Sequence, residues 1–201
     1  MILAFDTSSA ACTAALFDEA GVCIARADEI IGRGHSERLV PMLDELLKGR
    51  TPEAILVGVG PGSFTGIRVA IAAAYGLGIG WNAPLSGMSS LALIAAGAPG
   101  DGPVAVAVSG GHGELFVQLF DQGEPTSELA NLSPAAAAAA TSAKLVIGSG
   151  AGALIKARGW GEARDMLPSA ADSMKLPTNQ RTLPAKPVYA RAPDARPRQA
   201  A

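Results

Sequence analysis

Two short stretches carry most of the residue types that could do chemistry. "GVGPGSFTGIR", Gly58–Arg68, follows a hydrophobic run and leads into a helix-like run. Gly60, Gly62 and Gly66 allow positive φ and close approach of a ligand or another backbone. Ser63 and Thr65 bring hydroxyls, and the start of the next helix brings unpaired N–H groups, a set that suits an anion. The same composition also suits a tight strand-to-helix turn. It is not a P-loop, because no Gly-Lys-Ser/Thr follows. It is not a dinucleotide fingerprint, because the G-x-G-x-x-G spacing is absent. The second stretch is "DTSSAA", Asp6–Ala11. Asp6 ends a strand-like run, and Thr7 and Ser8 follow it. They could hold phosphate or a metal-bound water, or form a polar turn.

Other catalytic constellations are missing. The two histidines, His35 and His112, have no second histidine or cysteine at metal-ligand spacing. Both are expected to be surface or capping residues. No G-x-S-x-G elbow supports a hydrolytic triad. Cys12 and Cys23 are too few for a disulfide scaffold and are read as reduced core residues.

These residues must be positioned by a folded chain. With 201 residues, 49% hydrophobic and 17% charged, the protein can bury a real core. The net charge of −2 and the lack of a basic run speak against gripping RNA or DNA alone. "MILAFDTSSA" has no basic start and meets Asp6 early, unlike a signal peptide. The most apolar window, Val69–Trp81, is shorter than a bilayer needs. A cytoplasmic location is expected, away from membranes.

Strand-like runs "ILAFD", "TAALFD" and "VCIARAD" open the chain, with "DEAG" turning between the second and third. "SERLVPMLDELLK" places Leu39, Met42, Leu43, Leu46 and Leu47 on one stripe and predicts a helix over 36–48, capped by Ser36 and stopped at Gly49. "AILVGVG" reads as a buried strand, followed by a small-residue helix from about Gly66 to Ile79. The expected order is β-β-β-α-β-α-β-α over a first α/β lobe, 1–98. "GAPGDGP" then joins it to a second α/β lobe, 99–190, with strands "VAVAV", "ELFVQLF" and one near 126–131. An alanine helix capped by Ser133 follows, then strand "KLVIG" and a helix from "GAGALIKARG". Residues 191–201 read as a tail. Both lobes begin with strands and continue with α/β units, which fits a duplicated architecture.

"ILAFDTSSAACTAALFD", "GHSERLVPMLDELL" and "VGVGPGSFTGIRVAIAAAYGLGIGWNAPLSGMSSL" resemble the TsaB family, also called YeaZ, over the first half of the chain. "VAVSGGHGELFVQLF" and "PVYARAPDARP" resemble its second lobe and its ending. Ser109 and His112 stand where that family usually has an aspartate and an arginine, and Ala190 where it has a leucine. The resemblance implies a two-lobed actin/Hsp70/sugar-kinase-like, ribonuclease-H-like fold with mixed sheets. It implies a non-catalytic role in making threonylcarbamoyladenosine on tRNAs, beside a catalytic TsaD-type paralogue and a TsaE-type ATPase. It implies no cofactor, no metal and no catalytic residue of its own, with tRNA met only through the complex.

The paralogue carries His-x-x-x-His shortly after its version of "PLSGM". The equivalent positions here are Ser90 and Ile94, which cannot share a metal. On this reading Asp6, Thr7, Ser8, Gly60, Gly62, Ser63, Thr65 and Gly66 are the remnant of a nucleotide loop. Ser36, Leu39, Met42, Leu43 and Leu46, with Arg68, Ile71 and Tyr75 on the next helix, are the expected surface for the paralogue or for a second copy. The competing expectation is an ATP-binding transferase or an M22-type metallopeptidase in its own right.

Overall fold

The computed structural model describes residues 1–100 and 102–189. The chain 190–201, which holds the expected tail and the family-like ending from Ala190, lies outside the described residues. Strands β1 (Ile2–Asp6), β2 (Ala11–Phe17) and β3 (Cys23–Ile30) form an antiparallel meander. Helix α1 (His35–Leu47) leads to β4 (Ala54–Gly58), which pairs parallel with β1. Helix α2 (Phe64–Trp81) leads to β5 (Leu85–Met88), parallel to β4. The sheet order is β3-β2-β1-β4-β5. A short helix, α3 (Ser90–Ala96), follows.

The second half repeats this plan. Strands β6 (Val104–Ser109), β7 (Leu115–Asp121) and β8 (Glu124–Pro125) are antiparallel neighbours, and β9 (Ala130–Leu132) also pairs with β7. Helix α4 (Pro134–Ala140), capped by Ser133, precedes β10 (Leu145–Ile147). Helix α5 (Ala151–Arg158) then precedes β11 (Glu162–Arg164). The order is β11-β10-β6-β7-β8, with β10 parallel to both β6 and β11. Read from the opposite edge, it is the first sheet again, so the duplication suggested by the sequence is present strand by strand.

One face of the first sheet is covered by α1 and α2 in a core built on Phe5, Leu16, Ile55 and Ile67. The other face packs on α3 and β6 through Phe17, Leu91, Leu93 and Val106. α3 is buried on nearly all sides, which explains its apolar "SLALIAA". After β11 the chain returns to the first sheet. A 3-10 segment, Ala170–Lys175, packs on β1, β2 and β3. Helix α6 (Thr178–Arg181) and the strap behind it then bond Gly87 through Leu183 and Val59 through Val188. The chain after residue 165 thus adds to the first lobe, although it lies in the segment expected to be the second.

Several sequence expectations change here. Leu39, Met42, Leu43 and Leu46 are all buried in the core under the first sheet, and so is Ile71 on α2. They are not a partner surface, because one helix face cannot cover a sheet and also meet solvent. Ser36 does not cap α1. Gly34 holds that position in the left-handed region, and the Ser36 hydroxyl bonds Glu37 instead. His35 is buried, with Nε2 3.2 Å from the Ala11 carbonyl. Cys12 is core, and burial pushes its thiol up to about 11, but Cys23 is exposed. At 18 residues α2 is long and apolar enough, by length and composition, to cross a membrane. Here its Gly66, Ile67, Ala70, Ile71, Ala74 and Gly78 pack inward.

Burial at Leu43 sets an expectation. Leu43→Ala should lose about 2–4 kcal/mol of stability through lost contacts and a residual cavity, read by urea unfolding. Leu43→Arg should leave little folded protein, because a guanidinium would be forced into that core.

Candidate functional site: the glycine-rich joint and the interlobe cleft

The site is organised by the end of β1. Asp6 is fully buried. Its Oδ1 accepts from the Ser8 amide and the Ser8 hydroxyl, each at 2.7 Å. Its Oδ2 accepts from the Ser90 hydroxyl at 2.5 Å. Ser90 Oγ in turn accepts from the Gly60 amide at 3.1 Å, and the Ser90 amide donates to the Gly60 carbonyl. One carboxylate therefore ties β1, the loop after β4 and the start of α3 together.

The loop closes on β1 by backbone contact. The Thr7 hydroxyl donates to the Gly66 carbonyl at 2.6 Å, and the Ser63 amide donates to the Ser8 carbonyl at 2.6 Å. Ser63 also caps α2, accepting from the Gly66 amide. Two glycines are dictated by space. A Cβ on Gly66 would lie 1.9 Å from the Thr7 carbonyl oxygen, and one on Gly58 would lie 1.8 Å from Asp6 Oδ2. Gly60, at φ 93, needs the left-handed region as well.

The structure thus brings Asp6, Thr7, Ser8, Gly60, Gly62, Ser63 and Gly66 together and leaves Thr65 exposed. The Gly60, Ser63 and Gly66 amides already bond protein oxygens. Asp6, which could have faced a metal-bound water, points into serine donors instead. Of the two readings left open by composition, the tight structural turn is the one these bonds describe.

Beside the joint lies a cleft of about 840 Å³ between the lobes. The first lobe gives it Ser8, Ser63, Phe64 and Arg68, and the second gives it Ser109, His112, Phe116 and Ser149. No carboxylate lines it among the described residues. Arg68 stacks over the Phe64 ring at 3.7 Å and bonds the Tyr189 hydroxyl through Nε at 3.0 Å. Sequence reasoning missed Phe64 and missed the pairing of Arg68 with Tyr189, which lies 121 residues further on. His112 sits in the left-handed region at the cleft rim.

Ser90 and Ile94 are both buried on α3, one in the Asp6 network and the other in apolar core. Among the described residues no three His, Cys, Asp or Glu side chains are grouped to hold a metal.

A duplicated β-β-β-α-β-α lobe with a cleft at the strand ends defines the two-lobed, ribonuclease-H-like α/β class. The family model described as "TsaD: tRNA N6-adenosine threonylcarbamoyltransferase" matches residues 27–158. Two solved structures from Pseudomonas aeruginosa, one described as YeaZ and one as similar to peptidase YEAZ, superpose with TM-scores of 0.79 and 0.81. Both are 31% identical, and the match covers 94% of this chain and 98–99% of theirs. The Escherichia coli tRNA threonylcarbamoyladenosine biosynthesis protein TsaB is 35% identical over 61% of this chain and 56% of its own length. The Bacillus subtilis protein of the same description is 34% identical over 59% and 54%. The chain belongs to the TsaB/YeaZ family, within the wider TsaD-related group. It spans about half the length of the curated relatives it matches.

Gly66 and Gly76 should separate under substitution. Gly66→Ala should fold poorly, because Thr7 backbone would have to move. Gly76 has nothing within 4 Å of an added Cβ, so Gly76→Ala should gain about 0.5–1 kcal/mol from helix propensity. Thermal melts of the two variants check both directions.

Proposed function

We propose that this chain is the non-catalytic TsaB-type partner in tRNA threonylcarbamoyladenosine formation, binding a TsaD-type transferase together with a TsaE-type ATPase. The observation that carries this is the Asp6 network. In place of an open catalytic centre, it fills the strand end with buried hydrogen bonds, and it uses Ser90, which stands where the paralogue has a metal-binding histidine. Family membership supplies the pathway. The two Pseudomonas structures supply full-length correspondence of fold. The competing readings, an ATP-using transferase or a metallopeptidase, need a carboxylate or histidine set to place a divalent cation. Neither the cleft nor α3 offers one among the described residues. Contact with tRNA through the complex agrees with a net charge of −2.

The proposed docking surface is the outward face of α2, with the exposed side of α1. Arg68, Ala72, Tyr75, Gly76 and Ile79 fall at helical spacing on that face, and Ile79 is 82% exposed. The small residues let another helix backbone approach closely, while Ile79 and Tyr75 provide apolar area. Of the residues expected from sequence, Ser36, Arg68 and Tyr75 remain available to a partner.

The test is co-elution with the TsaD-type paralogue on a sizing column. Wild type should form a stable complex. Ile79→Arg with Tyr75→Ala should weaken it by roughly 100-fold or more if these are central contacts, with an unchanged melting temperature. A complex insensitive to both changes moves the surface elsewhere, and no complex at all removes the proposed role. Titration calorimetry of the chain alone with magnesium-ATP should show no binding.

A further inference from the structure

The cleft between the lobes, at about 840 Å³, falls in the size range of small-molecule sites. Its walls are mostly apolar and come from both lobes, with Phe64, Ile67, Phe116, Leu167 and Val188 among them. Two rings that line it are left largely uncovered. Phe64 is 54% exposed and Tyr189 46%, and their centroids lie 5.5 Å apart. A single exposed ring needs no explanation. Two adjoining rings on the wall of one cleft form a place for an apolar body.

The charge in the cleft narrows what fits there. Among the described residues Arg68 is the only Lys or Arg that lines it, and no Asp or Glu does. Its guanidinium is held in position. It lies over the Phe64 ring at 3.7 Å, stands 5.8 Å from the centre of the Tyr189 ring, and donates from Nε to the Tyr189 hydroxyl at 3.0 Å. That bond uses Nε, while Nη1 and Nη2 bond nothing among the described residues. A fixed planar pair of N–H groups matches the two oxygens of a carboxylate. A cationic ligand would meet Arg68 with no acid to hold it. A neutral apolar ligand would strip water from the guanidinium and return nothing. A nucleoside triphosphate brings a divalent cation that needs carboxylate oxygens, and none of the described residues lining the cleft supplies them.

We propose that the cleft binds an aromatic monocarboxylate, with the carboxylate on Nη1 and Nη2 of Arg68 and the ring body among Phe64, Phe116 and Tyr189. The rings favour an aryl over an alkyl body, because stacking adds to the burial of apolar area. The second lobe completes the site with Phe116 and the Ser109 hydroxyl. Of the residues on the outward face of α2, Tyr75, Gly76 and Ile79 do not line the cleft. The test needs neither the transferase partner nor tRNA, so its failure leaves the partner reading untouched.

Saturation-transfer NMR titrations of the full chain with naphthoate and with neutral naphthamide test it. Naphthoate should bind with a Kd of about 1 mM or tighter, as befits a ligand of its size. Naphthamide should bind about tenfold more weakly or worse, because it lacks the charge-assisted pair. Arg68→Gln should cost naphthoate about tenfold or more and leave naphthamide within about twofold, a split that loss of folding would not produce. Ser109→Asp sets a like charge on the second-lobe wall and should weaken naphthoate while sparing naphthamide. Phe64→Ala should weaken both. Melting temperatures of the three variants check that each is folded. The proposal is overturned if naphthoate shows no saturable binding, if the amide binds as well as the acid, or if naphthoate binding survives either Arg68→Gln or Ser109→Asp in folded protein.

Discussion

The buried Asp6 carboxylate constrains the rest of the first lobe. A charge taken out of water must be met by donors, and three donors from two different segments meet it. Those donors fix where α3 can start relative to β1. Through Ser90 they also fix the Gly60 amide, and with it the path of the loop into α2. Gly58 is then required, because the carboxylate occupies the space a side chain would take. The small-residue composition of the loop follows from this packing without appeal to a ligand.

The same constraint bears on the partner role proposed for a fold that keeps a ligand-sized cleft. In the closed joint, the Gly60, Ser63 and Gly66 amides bond Ser90 Oγ, the Ser8 carbonyl and Ser63 Oγ, and the strand-end carboxylate accepts from Ser8 and Ser90. The cleft beside it retains hydroxyls, rings and Arg68 but, among the described residues, no carboxylate. What the joint positions is α2. Gly66 presses the helix start against Thr7, and the helix buries one face on the sheet while presenting Ala72, Tyr75, Gly76 and Ile79 outward.

Much of this was legible in the sequence. Period-two runs gave the opening meander, and the 3.6-residue stripe gave α1 to within a residue at each end. The Ser133 cap, the glycine-rich loop and the duplicated plan could be read from local pattern, whereas the Ser63 cap and the start of α2 at Phe64 came only with the structure. What could not be read depends on long-range contact. The stripe on α1 has the same spacing whether a sheet or a partner covers it, so Leu39, Met42, Leu43 and Leu46 could be assigned to core only once α2 and β2 were in place. The turn of Asp6 toward Ser90 spans 84 residues. The return of 170–189 to the first sheet joins Ala170 to Thr13 across 157 residues. A Pro- and Ser-rich segment carries no periodic signal of such docking.

The edge strand shows what the alternation rule leaves undecided. From Ile24 onward β3 alternates between exposed and half-buried residues, which identifies it as a strand with one covered face. Alternation does not say whether its outer backbone groups meet water or another strand, since either arrangement buries the same Ala25 and Ala27 against the core.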